Sequence, residues 1–345
     1  MKRRSLLVGA TAAAAASLAG FPARAQQSQG LERNKVTIAV GGKAAFYYLP
    51  LTIAEQRNYF KDAGLNVEIV DFAGGARALQ AVVGGSADVV SGAYEHTINL
   101  QSKKQYFTAF VLQGRAPQIS IGVAAPKAAN FKGPADLKGM RIGVSAPGSS
   151  TNMMVNLLLS KGGLKPSDVS IIGVGTSQAA IAALKSGQID AISNVDPVMT
   201  MLEQGGDVKI IADTRTLKGT EQLLGGPMPA GCLYAPEEFI KRNPRTVQAL
   251  ATAMVKAVKW LDGAGPSDIL KTVPESYLLG DRGLYLASYH KIKDAISTDG
   301  YIPPEGAKTA LKALASFDPN IKPDQIDLQR TYTNEFVKRA HQQLK

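Results

Sequence analysis

Ala78-Leu79-Gln80-Ala81-Val82-Val83-Gly84-Gly85-Ser86-Ala87-Asp88-Val89-Val90-Ser91 is followed about a hundred positions later by Ala180-Ile181-Ala182-Ala183-Leu184-Lys185-Ser186-Gly187-Gln188-Ile189-Asp190-Ala191-Ile192-Ser193. Each stretch reads as a short amphipathic helix, a glycine that stops it, and an aspartate leading into a β-branched strand that ends in serine. Gly85 aligns with Gly187, Asp88 with Asp190 and Ser91 with Ser193. One α/β unit used twice implies two similar lobes, and two facing lobes enclose a cleft. In open α/β sheets such a cleft is lined by the loops at the carboxyl ends of the strands. Here those loops are Gly92-Ala93-Tyr94-Glu95-His96 and Asn194-Val195-Asp196-Pro197.

Outward from the echo, strands are expected at 35–40, 65–72, 106–112, 119–124, 140–145, 170–174, 208–212 and 231–235. A helix is expected over 48–60, and Pro147-Gly148-Ser149-Ser150-Thr151-Asn152 opens another that Gly162-Gly163 closes. Asn243-Pro244 starts a long helix, with Asn243 as N-cap and Pro244 in the first turn. Its buried stripe is Val247, Leu250, Met254, Val258 and Leu261. Two polar connections rich in Gly and Pro, 126–134 and 214–229, set off the block between them. The expected organisation is an α/β fold of two lobes: residues 34–126 with 228–320 form the first, 135–215 the second, and 321–345 a C-terminal helical segment. Two connections between lobes form a hinge.

Residues 1–25 read as a secretory signal: the basic start Lys2-Arg3-Arg4, an Ala-rich apolar run, and Ala23-Arg24-Ala25 before the cut. Arg3-Arg4 ahead of Ser5-Leu6-Leu7 points to twin-arginine export. Its loss lowers the formal charge of +11 by four, through Lys2, Arg3, Arg4 and Arg24. The remaining positive charge is scattered, and Lys103-Lys104 carries no interleaved aromatics, so a nucleic-acid surface is not expected. The single cysteine, Cys232, lies in an apolar run and reads as a packing residue. His96, His290 and His341 show no metal-ligand spacing, and neither a Gly-x-Ser-x-Gly elbow nor a phosphate loop is present. No cofactor, metal or catalytic residue is expected, and the mature chain is expected to be a soluble periplasmic protein.

Leu137-Lys138-Gly139-Met140-Arg141-Ile142-Gly143-Val144, Gly187-Gln188-Ile189-Asp190-Ala191 and Glu237-Glu238-Phe239-Ile240-Lys241-Arg242-Asn243-Pro244, with the export signal, resemble one family in their ordered set. They resemble the substrate-binding proteins of nitrate/sulfonate/taurine-type ABC importers, a family that extends to thiamine-precursor binders. The resemblance runs from about residue 35 to 314. It implies a type II periplasmic-binding-protein fold whose two lobes close on a small ligand and hand it to a membrane permease, without chemistry on the ligand. A monomer is expected, because hinged lobes must move freely.

The helix start at Ser149, Ser150, Thr151 and Asn152 follows a strand, so its free backbone N–H groups and hydroxyls are candidates to hold an anion. The matching start in the first lobe is Gly74, Gly75, Ala76 and Arg77, where Arg77 either clamps a carboxylate or sulfonate or faces solvent. Thr176 offers a further hydroxyl. Phe46, Tyr47 and Tyr48 cannot all face the core, so an aromatic wall for the ligand is expected among them. Ala93, Tyr94 and Glu95 in one loop, and Asn194 and Asp196 in the other, complete the candidate set. A carboxylate in the pocket, Glu95 or Asp196, would repel an anion and welcome a pyrimidine or cationic heterocycle. The expected ligand is a small organic anion, a sulfonate or aromatic carboxylate. A thiamine-precursor-like pyrimidine is the alternative, and an enzyme using Glu95 or Asp196 as base ranks below both.

Overall fold

Short runs of β-branched residues punctuated by glycine give ten strands: β1 (Lys35–Val40), β2 (Asn66–Asp71), β3 (Val89–Ala93), β4 (Phe107–Leu112), β5 (Ile119–Ala124), β6 (Arg141–Val144), β7 (Ser170–Gly173), β8 (Ala191–Val195), β9 (Val208–Asp213) and β10 (Gly231–Pro236). They come from a computed structural model that describes residues 30–345; the export signal read over 1–25 lies outside the described residues. The strands form two five-stranded sheets, ordered β2-β1-β3-β10-β4 and β7-β6-β8-β5-β9. In each sheet three parallel strands are followed by an antiparallel pair of neighbours.

The echo is the physical basis of this likeness. Helices α1 (Gly75–Val83) and α2 (Gln178–Lys185) precede β3 and β8, and Gly85 and Gly187 both adopt positive φ between helix and strand. Each aspartate then does the same work in its own sheet. Asp88 Oδ2 accepts from the Thr37 N–H of β1 at 2.8 Å and Asp88 Oδ1 pairs with Arg33 at 2.9 Å. Asp190 Oδ2 accepts from the Arg141 N–H of β6 at 2.9 Å and Asp190 Oδ1 pairs with Arg141 at 3.0 Å. The repeated residue thus ties strand to strand at the end of the sheet remote from the cleft.

The expected lobe boundary needs one correction. Ile119–Ala124, placed in the first lobe from sequence, pairs antiparallel with β8 and β9 in the second sheet. A six-residue run buried throughout fits a central position in either sheet, so its pattern carries no address. The chain therefore changes sheets over 113–118 rather than 126–134, and returns over 214–230. These two crossings lie side by side: Gln113 and Gly114 N–H groups donate to Gly231 O, and Gln118 N–H donates to Thr214 O.

The long helix, Pro244–Gly263, buries Val247, Leu250, Met254, Val258 and Leu261 as its period requires. Asn243 is not a side-chain cap; its amide donates back to Phe239 O, and the Glu32 carboxylate instead accepts from the Arg245 and Thr246 N–H groups. That acceptor lies over two hundred residues away in sequence, out of reach of any local pattern. The C-terminal stretch holds two single turns and the helix Glu335–Gln343, which packs on this long helix. Among the described residues no helix is long and apolar enough to cross a membrane.

Candidate ligand cleft

Two helix starts meet across the gap between the sheets. α1 begins at Gly75 after Gly74, whose φ of +99° and whose closeness to the other lobe both require glycine: a Cβ there would lie 2.8 Å from the Ala146 Cβ. Opposite, α3 (Ser150–Lys161) begins after Ser149. The Ala76 N–H donates to Ser149 Oγ at 2.9 Å, joining the two starts directly. Thr151 Oγ1 accepts from the Ser145 N–H at 3.0 Å and lies 2.8 Å from Ser145 Oγ, which fixes the strand-to-helix turn. The first N–H groups of a helix have no partner within it, so both starts present donors and positive partial charge to the same space.

That space is a cavity of about 30 Å³ lined by Gly41, Tyr47, Tyr48, Gly75, Ala93, His96, Ile119, Ser145, Ser149, Ser150, Thr151, Thr176 and Val195. Of the residues expected from sequence, Tyr47, Gly75, Ala93, Ser149, Ser150, Thr151 and Thr176 line it. Ala76 contributes its N–H to the interlobe bond. The others are placed elsewhere. Phe46 is buried against Tyr285, with ring centroids 4.4 Å apart. Arg77 is exposed on the far side of α1, so it clamps nothing in the cavity. Tyr94 turns into the core with its hydroxyl 2.5 Å from Thr331 Oγ1. Asn152 holds the turn, its Oδ1 accepting from the Gly148 N–H at 2.9 Å. Asn194 donates to Gly175 O at 2.9 Å. Glu95 and Asp196 are both buried but neither lines the cavity. Tyr48, one of the three aromatics expected to supply a wall, lines the cavity as well, as do His96 and Ser145, for which no contact was expected. Their signal was local: Tyr48 shares the aromatic run, His96 the loop after β3, and Ser145 the turn before Ser149.

A sequence profile described as NMT1/THI5 like matches residues 45–263. The chain belongs to the NMT1/THI5-like family. It is 27% identical over 238 residues to the 4-amino-5-hydroxymethyl-2-methylpyrimidine phosphate synthase of Schizosaccharomyces pombe, an alignment covering 66% of this chain and 65% of that protein. A solved structure from Bordetella bronchiseptica RB50 is 60% identical, with a TM-score of 0.90 over 92% of this chain and 99% of that one. The alkanesulfonate-binding protein SsuA from Xanthomonas axonopodis pv. citri, solved with MOPS, shares the fold at 20% identity, with a TM-score of 0.65 over 88% of this chain and 100% of that one. This NMT1/THI5-like chain therefore has the two-lobed periplasmic-binding-protein fold.

The cavity lining of this family member carries no carboxylate and no Lys or Arg. Its one titratable cation-former, His96, is held by Tyr234, with Nδ1 2.8 Å from the Tyr234 hydroxyl. Burial pushes the His96 imidazolium below its ordinary value of 6.5, with Glu95 pulling the other way, so the ring is neutral near pH 7. Burial likewise pushes the Tyr47, Tyr48 and Tyr234 hydroxyls well up, and the Glu95 charge adds to it, so all three remain protonated donors. The Tyr47 hydroxyl and His96 Nε2 make no hydrogen bond within the chain. Among the described residues no group of His, Cys, Asp and Glu is placed to hold a metal.

Proposed function

We propose that this protein is a periplasmic solute receptor whose lobes close about a small organic anion, of the sulfonate or aromatic carboxylate class, and deliver it to the permease of an ABC importer. The observation that carries the reading is the convergence of two helix starts, with the hydroxyls of Ser149, Ser150 and Thr151, on one cavity free of carboxylates. Each helix start favours an anion by about 0.3–1 kcal/mol, and hydrogen bonds to a charged group add about 1.5–3 kcal/mol each. Tyr47 and Tyr48, with ring planes 68° apart, wall the same space. The paired crossings over 113–118 and 214–230 are placed to act as the hinge. The shared fold with a sulfonate-binding protein supports the same reading.

A second reading rests on Glu95. Its carboxylate is buried behind the cavity, one oxygen lacks a hydrogen bond, and its charge acts on Tyr47, Tyr48 and His96. A ring N–H brought near it, as in a pyrimidine, would be welcomed there. Relatives named as pyrimidine phosphate synthases support this alternative, which also covers a cationic heterocycle.

Calorimetry and thermal shift on the purified mature chain separate the readings, using sulfonates, aromatic carboxylates, pyrimidines and amines. Saturable binding of an anion with no product formed, weakened about two- to tenfold by Ser149→Ala, is expected. Glu95→Gln then acts as the arbiter. It tightens an anion that the carboxylate repels and abolishes a ring that the carboxylate holds. Conversion of any ligand to product would return weight to an enzyme.

A further inference from the structure

The cavity between the helix starts has room for roughly two or three water-sized centres, enough for a head group and too little for the aromatic or extended body of an organic anion. A second cavity, of about 240 Å³, lies directly beyond it, and His96 and Ser149 line both. His96 is buried, fixed by Tyr234 at Nδ1, and its Nε2 makes no hydrogen bond within the chain. As a neutral ring it can donate or accept there, according to what passes it.

The walls of this second chamber set amides and one ammonium among the apolar side chains of Leu79, Leu100, Met153, Leu314 and Phe317. Asn152 Oδ1 is taken by the Gly148 N–H, and an Asn152 amide hydrogen goes to Asn156 Oδ1 at 3.4 Å. Asn156 and Lys103 also line the chamber, and the Lys103 ammonium pairs with no carboxylate among the described residues. The one acidic side chain of the wall, Asp318, accepts twice from Asn320 through Oδ1, at 2.9 and 3.0 Å. Such a wall suits an apolar chain that ends in an acceptor at Lys103.

We infer that the ligand is bipartite: an anionic head lies between the two helix starts, and a longer acceptor-bearing body passes His96 and Ser149 into the second chamber, with its far acceptor at Lys103. The inference rests on the anion reading above and extends it to the far half of the ligand. Calorimetry with methane-, butane- and octanesulfonate, matching aliphatic carboxylates, and the same chains ending in a carboxylate tests it. Affinity rises about tenfold or more from the shortest to the longest chain. Asn156→Phe, which fills the chamber, removes that rise and leaves methanesulfonate binding within about twofold. Lys103→Gln, on an exposed residue that tolerates change, weakens only the chains with a terminal carboxylate, by about two- to fivefold. Affinity that is flat with chain length, or equal losses for short and long chains in both variants, overturns the inference and leaves the anion reading standing. Failure of every sulfonate and carboxylate to bind overturns the anion reading, and the bipartite ligand with it.

Discussion

Two buried carboxylates flank the cleft, within two residues of the ends of corresponding strands, and they keep different company. Asp196, after β8, has one oxygen accepting from the Thr200 N–H at 2.8 Å; the other makes no hydrogen bond but lies 3.7 Å from Arg215 Nη1, and burial still pushes the carboxyl up against that cation. Arg215 is itself nearly inaccessible and also holds Asp213 at 2.6 Å and Glu203 at 3.0 Å. Glu95, after β3, has no cation beside it; one oxygen is without a hydrogen bond, and the groups that feel its charge are the hydroxyls of Tyr47, Tyr48 and Tyr234 and the His96 ring. A buried carboxylate with a cation beside it serves the architecture, whereas one with only neutral neighbours is available to a ligand or to neighbouring donors. The second lobe has thus committed its acid to structure, and the charge bias of the cleft is set from the first.

The largest consequence falls on the committed acid. Arg215→Met removes the common partner of Asp196, Glu203 and Asp213 and leaves the first of these buried without a cation. Loss of one partner from a buried pair costs about 3–5 kcal/mol, which urea denaturation reads directly. Adding Asp196→Asn to Arg215→Met should recover part of that loss, because the uncompensated charge disappears. A loss below about 1 kcal/mol would erase the distinction between the two acids, since an exposed pair is worth that much.

The reach of each interaction along the chain explains what could be read in advance. The helix–Gly–Asp–strand echo is local, and it predicted two similar lobes; the role that Asp88 and Asp190 share is supplied by the structure. The helix start at Ser149 is local too, and its hydroxyls do line the cleft. Arg215 was invisible as a hub because only Asp213, two residues away, is local, whereas Glu203 and Asp196 lie twelve or more residues back. The aromatic run announced a wall without saying which ring would leave it; Phe46 was drawn off by Tyr285, some 240 residues away in sequence. Arg77, in the first turn of α1, could be read as a clamp or as facing solvent; a helix turns each residue by about 100°, and the two steps from Gly75 carry it out to solvent. The strand Ile119–Ala124 went to the other sheet because an apolar hexamer has no directional signal.

A second prediction tests the neutral surroundings of Glu95. Burial holds the folded His96 below 6.5, so as the pH falls the unfolded chain takes up this proton first. Stability is complete above 6.5 and is lost as the pH drops below it, by at most about 1.4 kcal/mol per pH unit, until the folded value is reached. His96→Gln should abolish this slope between pH 6.5 and 5. It should spare the loss at lower pH that comes from the lowered carboxylates of Asp190, Glu203 and Glu237. Urea midpoints of both proteins across that range check it. An unchanged slope in the variant would mean that Glu95 stabilises the imidazolium as much as burial opposes it, and a steeper one that it stabilises it more, so that the first lobe's acid is paired after all.

The smallest effect lies where the two regions touch. The helix Arg282–Ile292 packs Tyr285 and Tyr289 against Phe46 of the first lobe, and its Lys291 reaches Glu203 of the second at 2.6 Å. Both side chains are about one-third exposed, so the pair is worth about 0.2–1 kcal/mol and is screened by salt. Glu203 also keeps Arg215, so Lys291→Gln leaves no carboxylate stranded. The variant should therefore fold with nearly the wild-type urea midpoint and bind ligand about two- to fivefold more weakly at low ionic strength. The difference should vanish near 1 M salt, where the Debye length falls to about 3 Å. A drop that survives high salt, or exceeds that of Ser149→Ala, would place Lys291 among the groups that hold the lobes together. The Asp196–Arg215 cluster would then serve closure as well as architecture, and its contrast with Glu95 would narrow accordingly.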